Sequence, residues 1–153
     1  MSNNPSAFVL QRAKNHSIPS LTISKNQIEE KLDLEDTLNN FKIDFIVLAG
    51  FLLKIPEWLI QKFPNQIINI HPALLPKYGG KGMYGKHVHQ AVFDNNERDT
   101  GITIQFVNAQ YDEGQILFQK KISLNVLDTP DRIAKKVLTL EHAHFAEVIE
   151  GLL

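Results

Sequence analysis

The sequence contains no cysteine, which removes disulfides, thiol nucleophiles and thiolate metal sites at once. It has no apolar run near the ~20 residues that a membrane-spanning helix needs, and its start lacks the apolar core of a signal peptide. A basic excess is missing too. Lys+Arg number 16 against 17 Asp+Glu, and the resulting net charge of −1 argues against a nucleic-acid surface, which normally carries a basic stripe. The lysines are scattered, with only Lys120-Lys121 and Lys135-Lys136 adjacent. No internal repeat, linker or low-complexity segment interrupts the chain. These absences point to a soluble cytoplasmic domain. The 43% of hydrophobic residues over 153 positions suits a single domain, 1–153, able to bury ~70% of the surface of its unfolded chain.

Periodicity supplies the elements. Asn3-Asn4-Pro5 can cap and start a helix up to about Asn15, with Phe8, Val9 and Ala13 on its apolar side. Residues 18–23 predict a short strand. Residues 24–40, with Ile28, Leu32, Leu34 and Leu38 among charges, predict a surface helix. The apolar run 43–50, ended by Gly50, predicts a strand buried on both faces of a parallel sheet. A short helix over 56–63 and a buried strand over 66–70 follow. Residues 72–85 hold six Pro and Gly positions, so they form the main irregular loop. Then come a helix over 86–95, strands at 102–106 and 115–124, and a long closing helix over 129–153. Strands alternating with helices imply an α/β fold, a largely parallel twisted sheet with helices on both faces. The two late strands add an antiparallel piece at one side.

The sharpest cluster of chemistry is Asn69-Ile70-His71-Pro72. Asn69 and His71 are two apart at the end of a strand, so they project from one face. In open parallel sheets, ligands bind beyond the carboxyl ends of strands. Plain strand-end capping by Asn and His remains open beside a catalytic role. Asp112, in Tyr111-Asp112-Glu113-Gly114, reads first as turn chemistry; a carboxylate near a histidine would, beside that, hold its ring and favour its protonated form. Gly79-Gly80-Lys81-Gly82 lacks the full phosphate-loop spacing. His87 and His89, like His142 and His144, lie two apart on helices, about 200° around the axis. Neither pair can chelate one metal from one face, and all four read as surface or interface residues.

The segments Phe45–Phe51, Ile68–Tyr78 and Asp112-Glu113-Gly114 together resemble the phosphoribosylglycinamide formyltransferases, within a superfamily that shares Asn-x-His-Pro and a distant aspartate. The resemblance runs from about residue 2 to the C-terminus and implies a formyltransferase-like Rossmann variant. It also implies formyl transfer from 10-formyltetrahydrofolate, without a metal, to the amine of glycinamide ribonucleotide in purine synthesis. Asn69, His71 and Asp112 fall on the family's catalytic trio. Leu52, Leu53, Lys54 and Ile55, with Asn69, Asn108, Ala109, Gln110, Tyr111 and Asp112, fall on its folate-binding positions. Glu141 falls on the residue that meets the ribose of the amine substrate. The residue types suit those roles. An amide N–H from Asn69 and a charged N–H from His71 would meet the oxyanion of a tetrahedral centre, and a bound water would shuttle the proton. The resemblance leaves a homodimer open.

Departures are visible as well. Gln105 stands where many relatives carry histidine. Asn26-Gln27 replaces a family arginine near the folate tail, and Leu138-Thr139 replaces polar residues that approach the substrate phosphate. The family's opening strand–loop–helix–strand unit, roughly a βαβ motif of ~30 residues, is expected to be missing from a chain that starts at Ser2-Asn3-Asn4-Pro5. Two other readings stay in play: a formyltetrahydrofolate hydrolase or a transferase with another amine acceptor, and an inactive folate-binding fragment.

Overall fold

The computed structural model describes residues 1–31 and 33–153. Among the described residues, six helices and four strands follow in the order α1 (Phe8–Asn15), α2 (Lys25–Glu29), α3 (Leu34–Asn40), β1 (Ile46–Leu48), α4 (Glu57–Lys62), β2 (Ile67–His71), α5 (Lys86–Asp94), β3 (Asp99–Phe106), β4 (Ile116–Ser123) and α6 (Pro130–Glu150). The strands form one sheet in the order β1-β2-β3-β4. Among the described residues no helix is long and apolar enough to cross a membrane.

The α/β class holds, with helices on both faces, and the sheet is mixed. β1 and β2 run parallel, whereas β2–β3 and β3–β4 are antiparallel, so parallel pairing is the smaller share. The reason lies in residues 72–98. They form a loop, a short helix and a turn that return the chain to the end of the sheet it has just left. His71 therefore pairs with Thr103, and Asp99 begins beyond the end of β2.

Side-chain alternation along β2 separates two cores. Ile68 and Ile70 point to one face, where they join Ile102, Ile104, Val92 of α5 and Ile133 and Val137 of α6. Ile67 points to the other face, with Ile28, Leu38, Leu59 and Phe63 from α2, α3 and the α4 end. Asn69 and His71 continue the face of Ile67 by the two-residue period. Their cross-strand partners Gln105 and Thr103 share that face, since directly opposed residues point the same way. One stripe of the sheet thus turns from apolar to polar at its end.

Several expectations are corrected. The run 43–50 forms only a three-residue strand, and Val47 is 39% exposed. β1 is the edge of the sheet here, pairing only with β2, so burial on both faces does not follow from an apolar run alone. Residues 18–23 contribute one isolated parallel bridge, Ser2 to Thr22, and no strand. The helix expected over 24–40 splits into α2 and α3, because Lys31 and Asp33 adopt φ of 60° and 54°, left-handed values that no helix continues through. Leu32, assigned to that helix by pattern, lies outside the described residues. α1 starts at Phe8 without a side-chain cap and buries none of its residues; Asn4 accepts instead from the Ser6 amide in the preceding turn. Capping works as expected at α6, where Thr129 accepts from the Arg132 amide beside Pro130.

The loop after His71 is tied to the sheet through one buried hydroxyl. Thr103 donates to the Ala73 carbonyl at 2.7 Å and accepts from the Leu75 amide at 3.0 Å and from Gln119 Nε2 at 2.9 Å. Gln119 also donates to the Leu75 carbonyl at 2.9 Å. Thr103→Val keeps the shape and strips the hydroxyl, leaving buried backbone groups without partners. Urea denaturation is expected to show a loss of about 1–3 kcal/mol; an unchanged midpoint would mean that the loop holds itself.

Candidate active site

The polar end of that stripe opens into a cavity of about 1080 Å³. Its wall takes in Leu52, Leu53, Lys54 and Ile55 after β1, Asn69 and His71 at the end of β2, and Gln105 of β3. It continues through Asn108, Gln110, Tyr111 and Asp112 of the β3–β4 loop to Glu141 of α6. Every residue that the sequence marked for the site is in this wall except Ala109, which sits in the same loop without lining it. Leu138 is in the wall too, as are Gly80, Lys81 and Gly82 of the glycine loop.

Asp112 organises the centre. Its φ of 56° is a left-handed value that Asp tolerates better than most residues, so the turn reading and the site reading are both realised. The carboxylate faces inward. Oδ2 accepts from the Gly80 amide at 2.9 Å and lies 3.6 Å from His71 Nδ1. Oδ1 accepts from Gln105 Nε2 at 3.2 Å. The approach of the glycine loop needs Gly79, because a Cβ there would stand 2.6 Å from Leu75 Cδ2 and 3.1 Å from Asp112 Cβ. The far side of the turn needs Gly114, where a Cβ would collide with the Phe106 carbonyl. The residues before Asp112 are shaped by Asn108, which accepts from the Gln110 amide and donates to the Glu113 carbonyl.

His71 is 3% exposed, and its Nε2 lies 2.7 Å from the Tyr78 carbonyl. A carbonyl can only accept, so Nε2 carries a hydrogen, while Nδ1 faces a carboxylate. In this arrangement neither nitrogen is free to meet a ligand. Tyr78, at φ 59°, is held in turn by its hydroxyl, which donates to Glu97 at 2.8 Å, and Lys77 donates to the same carboxylate at 2.7 Å. Burial first, then the Glu97 charge and hydrogen bond, push the Tyr78 hydroxyl up to about 12.

His89 corrects its surface assignment. It is 8% exposed, lines the cavity, and its Nδ1 has no partner among the described residues. Helical spacing excluded a shared metal with His87 but did not say which face of α5 turns inward. Burial, and secondarily the nearby His71 ring, hold His89 below the ordinary histidine range, so it favours the neutral form. Gln105 and Thr103 are the residues the sequence signalled least. Their roles depend on cross-strand register, which no local pattern reveals.

The sequence pattern described as Formyl transferase matches residues 1–149. The chain belongs to the formyl transferase family. It is 45% identical over 145 residues to the chloroplastic phosphoribosylglycinamide formyltransferase of Arabidopsis thaliana, covering 92% of this chain and 50% of that protein. Against the phosphoribosylglycinamide formyltransferase of Bacillus subtilis it is 33% identical over 155 residues, covering 99% of this chain and 77% of the other. The crystal structure of phosphoribosylglycinamide formyltransferase from Bacillus halodurans superposes with a TM-score of 0.88 at 29% identity, over 98% of this chain and 77% of that one. The chain therefore spans about half the length of its plant relative.

Glu141 is a cavity carboxyl raised above its ordinary range by burial, with His142 opposing. A carboxyl whose folded-state pKa lies above its unfolded one weakens the fold above that folded value and has no effect below the unfolded value. Glu141→Gln is therefore expected to raise the melting temperature of the unliganded protein at pH 7.5 by about 1–3 °C. The gap should close as pH falls through the ordinary glutamate value of 4.5. Equal melting temperatures at pH 7.5 would show that solvent already screens this charge.

Proposed function

We propose that the chain transfers a formyl group from 10-formyltetrahydrofolate to the amine of glycinamide ribonucleotide, the step that the names of its relatives describe. The observation that carries this reading is the convergence of Asn69, His71 and Asp112 on one cavity whose wall also holds residues 52–55 and 108–112. In this reading those two segments bind the folate, and Glu141 meets the ribose of the amine substrate. We place the activity in the cytoplasm; the plant relative's name carries the word chloroplastic, and that of the Bacillus subtilis relative has no such qualifier.

The chemistry is an acyl transfer. The amine nitrogen attacks the formyl carbon, the carbonyl oxygen becomes negative, and the bond from carbon to the folate nitrogen then breaks. The amine loses one proton and the departing folate nitrogen gains one, so a bound water can carry it between them. Donors already aimed at the developing oxyanion lower the barrier most. Asn69 is half-buried in the cavity wall and supplies a neutral amide N–H. The His71 ring supplies positive charge, kept in place by Asp112. For Nε2 to reach the oxyanion directly, the formyl oxygen must displace the Tyr78 carbonyl, one acceptor replacing another. No side-chain nucleophile enters the scheme.

The test uses formyl-folate labelled with 13C at the formyl carbon. With glycinamide ribonucleotide present, the label should appear in the formylated amine, and without it formate should appear slowly. Rapid formate release that ignores the amine would point to a hydrolase. His71→Ala and Asp112→Asn should each cut turnover by about 100-fold or more, the scale of a lost oxyanion donor, while far-UV circular dichroism stays native. Near-normal turnover in either variant would remove that residue from the scheme.

A further inference from the structure

Gln105 is 2% exposed at the cavity wall, directly across from Asn69 on the neighbouring strand. The pairing of β3 with β4 slips between Ile104 and Gln105, the kind of bulge that re-aims a side chain next to a site. Its amide nitrogen meets Asp112 Oδ1 at 3.2 Å, and its Oε1 has no partner among the described residues. The orientation is forced, because the opposite flip would set one oxygen against another. A glutamine kept only for packing would be a poor choice there, since an unpartnered buried acceptor is costly and an apolar residue of similar size would avoid that cost.

We propose that Gln105 is a positioning residue for Asp112: a donor without a titratable proton that holds the carboxylate turned so that Oδ2 faces His71 and the Gly80 amide. This rests on the formyl-transfer reading for its kinetic consequences only. The contact with Asp112 exists whatever the reaction. Removing the amide frees the carboxylate to rotate and takes away one of the donors that favour its charged form. Substrate affinity should change little, because the residue acts through Asp112.

Gln105→Leu and Gln105→Glu, each in the full chain, test this. Gln105→Leu should lower kcat by about 10-fold or more with each KM within about 3-fold of wild type. Gln105→Glu places two carboxylates together. That pair should take up a shared proton as pH falls, so the variant should recover activity toward lower pH, where the protonated Glu restores a donor. Wild-type kcat in Gln105→Leu, or a Gln105→Glu profile that follows wild type, would overturn the proposal. A Gln105→Leu variant that loses stability but keeps wild-type kcat would show a merely structural residue. If the wild-type chain transfers no formyl group, the functional reading fails alone. The positioning claim is then decided by a crystal structure of Gln105→Leu, in which the Asp112 carboxylate should have turned so that Oδ2 no longer meets the Gly80 amide. A carboxylate kept in its wild-type orientation would refute it.

Discussion

The Asp112 carboxylate is the point at which this structure is tied together. It receives the Gly80 amide from the glycine loop and Gln105 from β3, and it faces His71 at the end of β2. Gln105 is seven residues from Asp112, whereas Gly80 is 32 residues away and His71 lies farther still, at the end of β2. A charge with this little exposure, 12% of its side chain, is tolerable only with such partners. The same bonds that satisfy it therefore fix the glycine loop over the strand end. Gly79 and Gly114 permit the approach from either side, one against Leu75 and Asp112 and the other against the Phe106 carbonyl.

The surroundings set the electrical character of the cavity. His71 meets a carbonyl and a carboxylate. His89, a buried neighbour, is pushed toward the neutral form by its burial. Glu141, also in the cavity wall, is raised by burial. That is a cost in the empty protein, and a hydrogen-bonding ligand would offset it. Strained or under-satisfied groups of this kind are commonly kept where binding or chemistry needs them.

Much of the site was legible in the sequence because strand geometry is periodic. Asn69 and His71, two apart at a strand end, had to share a face, and the resemblance pointed to Asp112, Glu141 and residues 52–55 and 108–112, most of which line the same cavity. The fold class was legible for the same reason. What escaped depended on partners rather than on local pattern. An apolar run cannot say whether a strand lies at an edge, so Val47 reads as core and is exposed. A helical wheel separates His87 from His89 without saying which one turns inward. The break at Lys31 and Asp33 comes from left-handed backbone, at residues that are not glycine. The direction of β3 depends on where residues 72–98 deliver the chain. Gln105 showed itself only as an odd residue, and its bond to Asp112 emerges from a bulge.

The central claim is that one cavity, organised around Asp112, holds both folate segments against Asn69 and His71. A crystal structure of the chain with a reduced-folate analogue that cannot give up a formyl group tests it most directly. The account predicts the pteridine ring against residues 52–55 and 108–112. It also predicts the atom replacing the formyl-bearing nitrogen within about 4 Å of Asn69 or His71, near the spacing of reacting groups, and Asp112 still bonded to Gly80 and Gln105. An analogue seated elsewhere, or one bound with the Asp112 carboxylate turned out of the cavity, would contradict it.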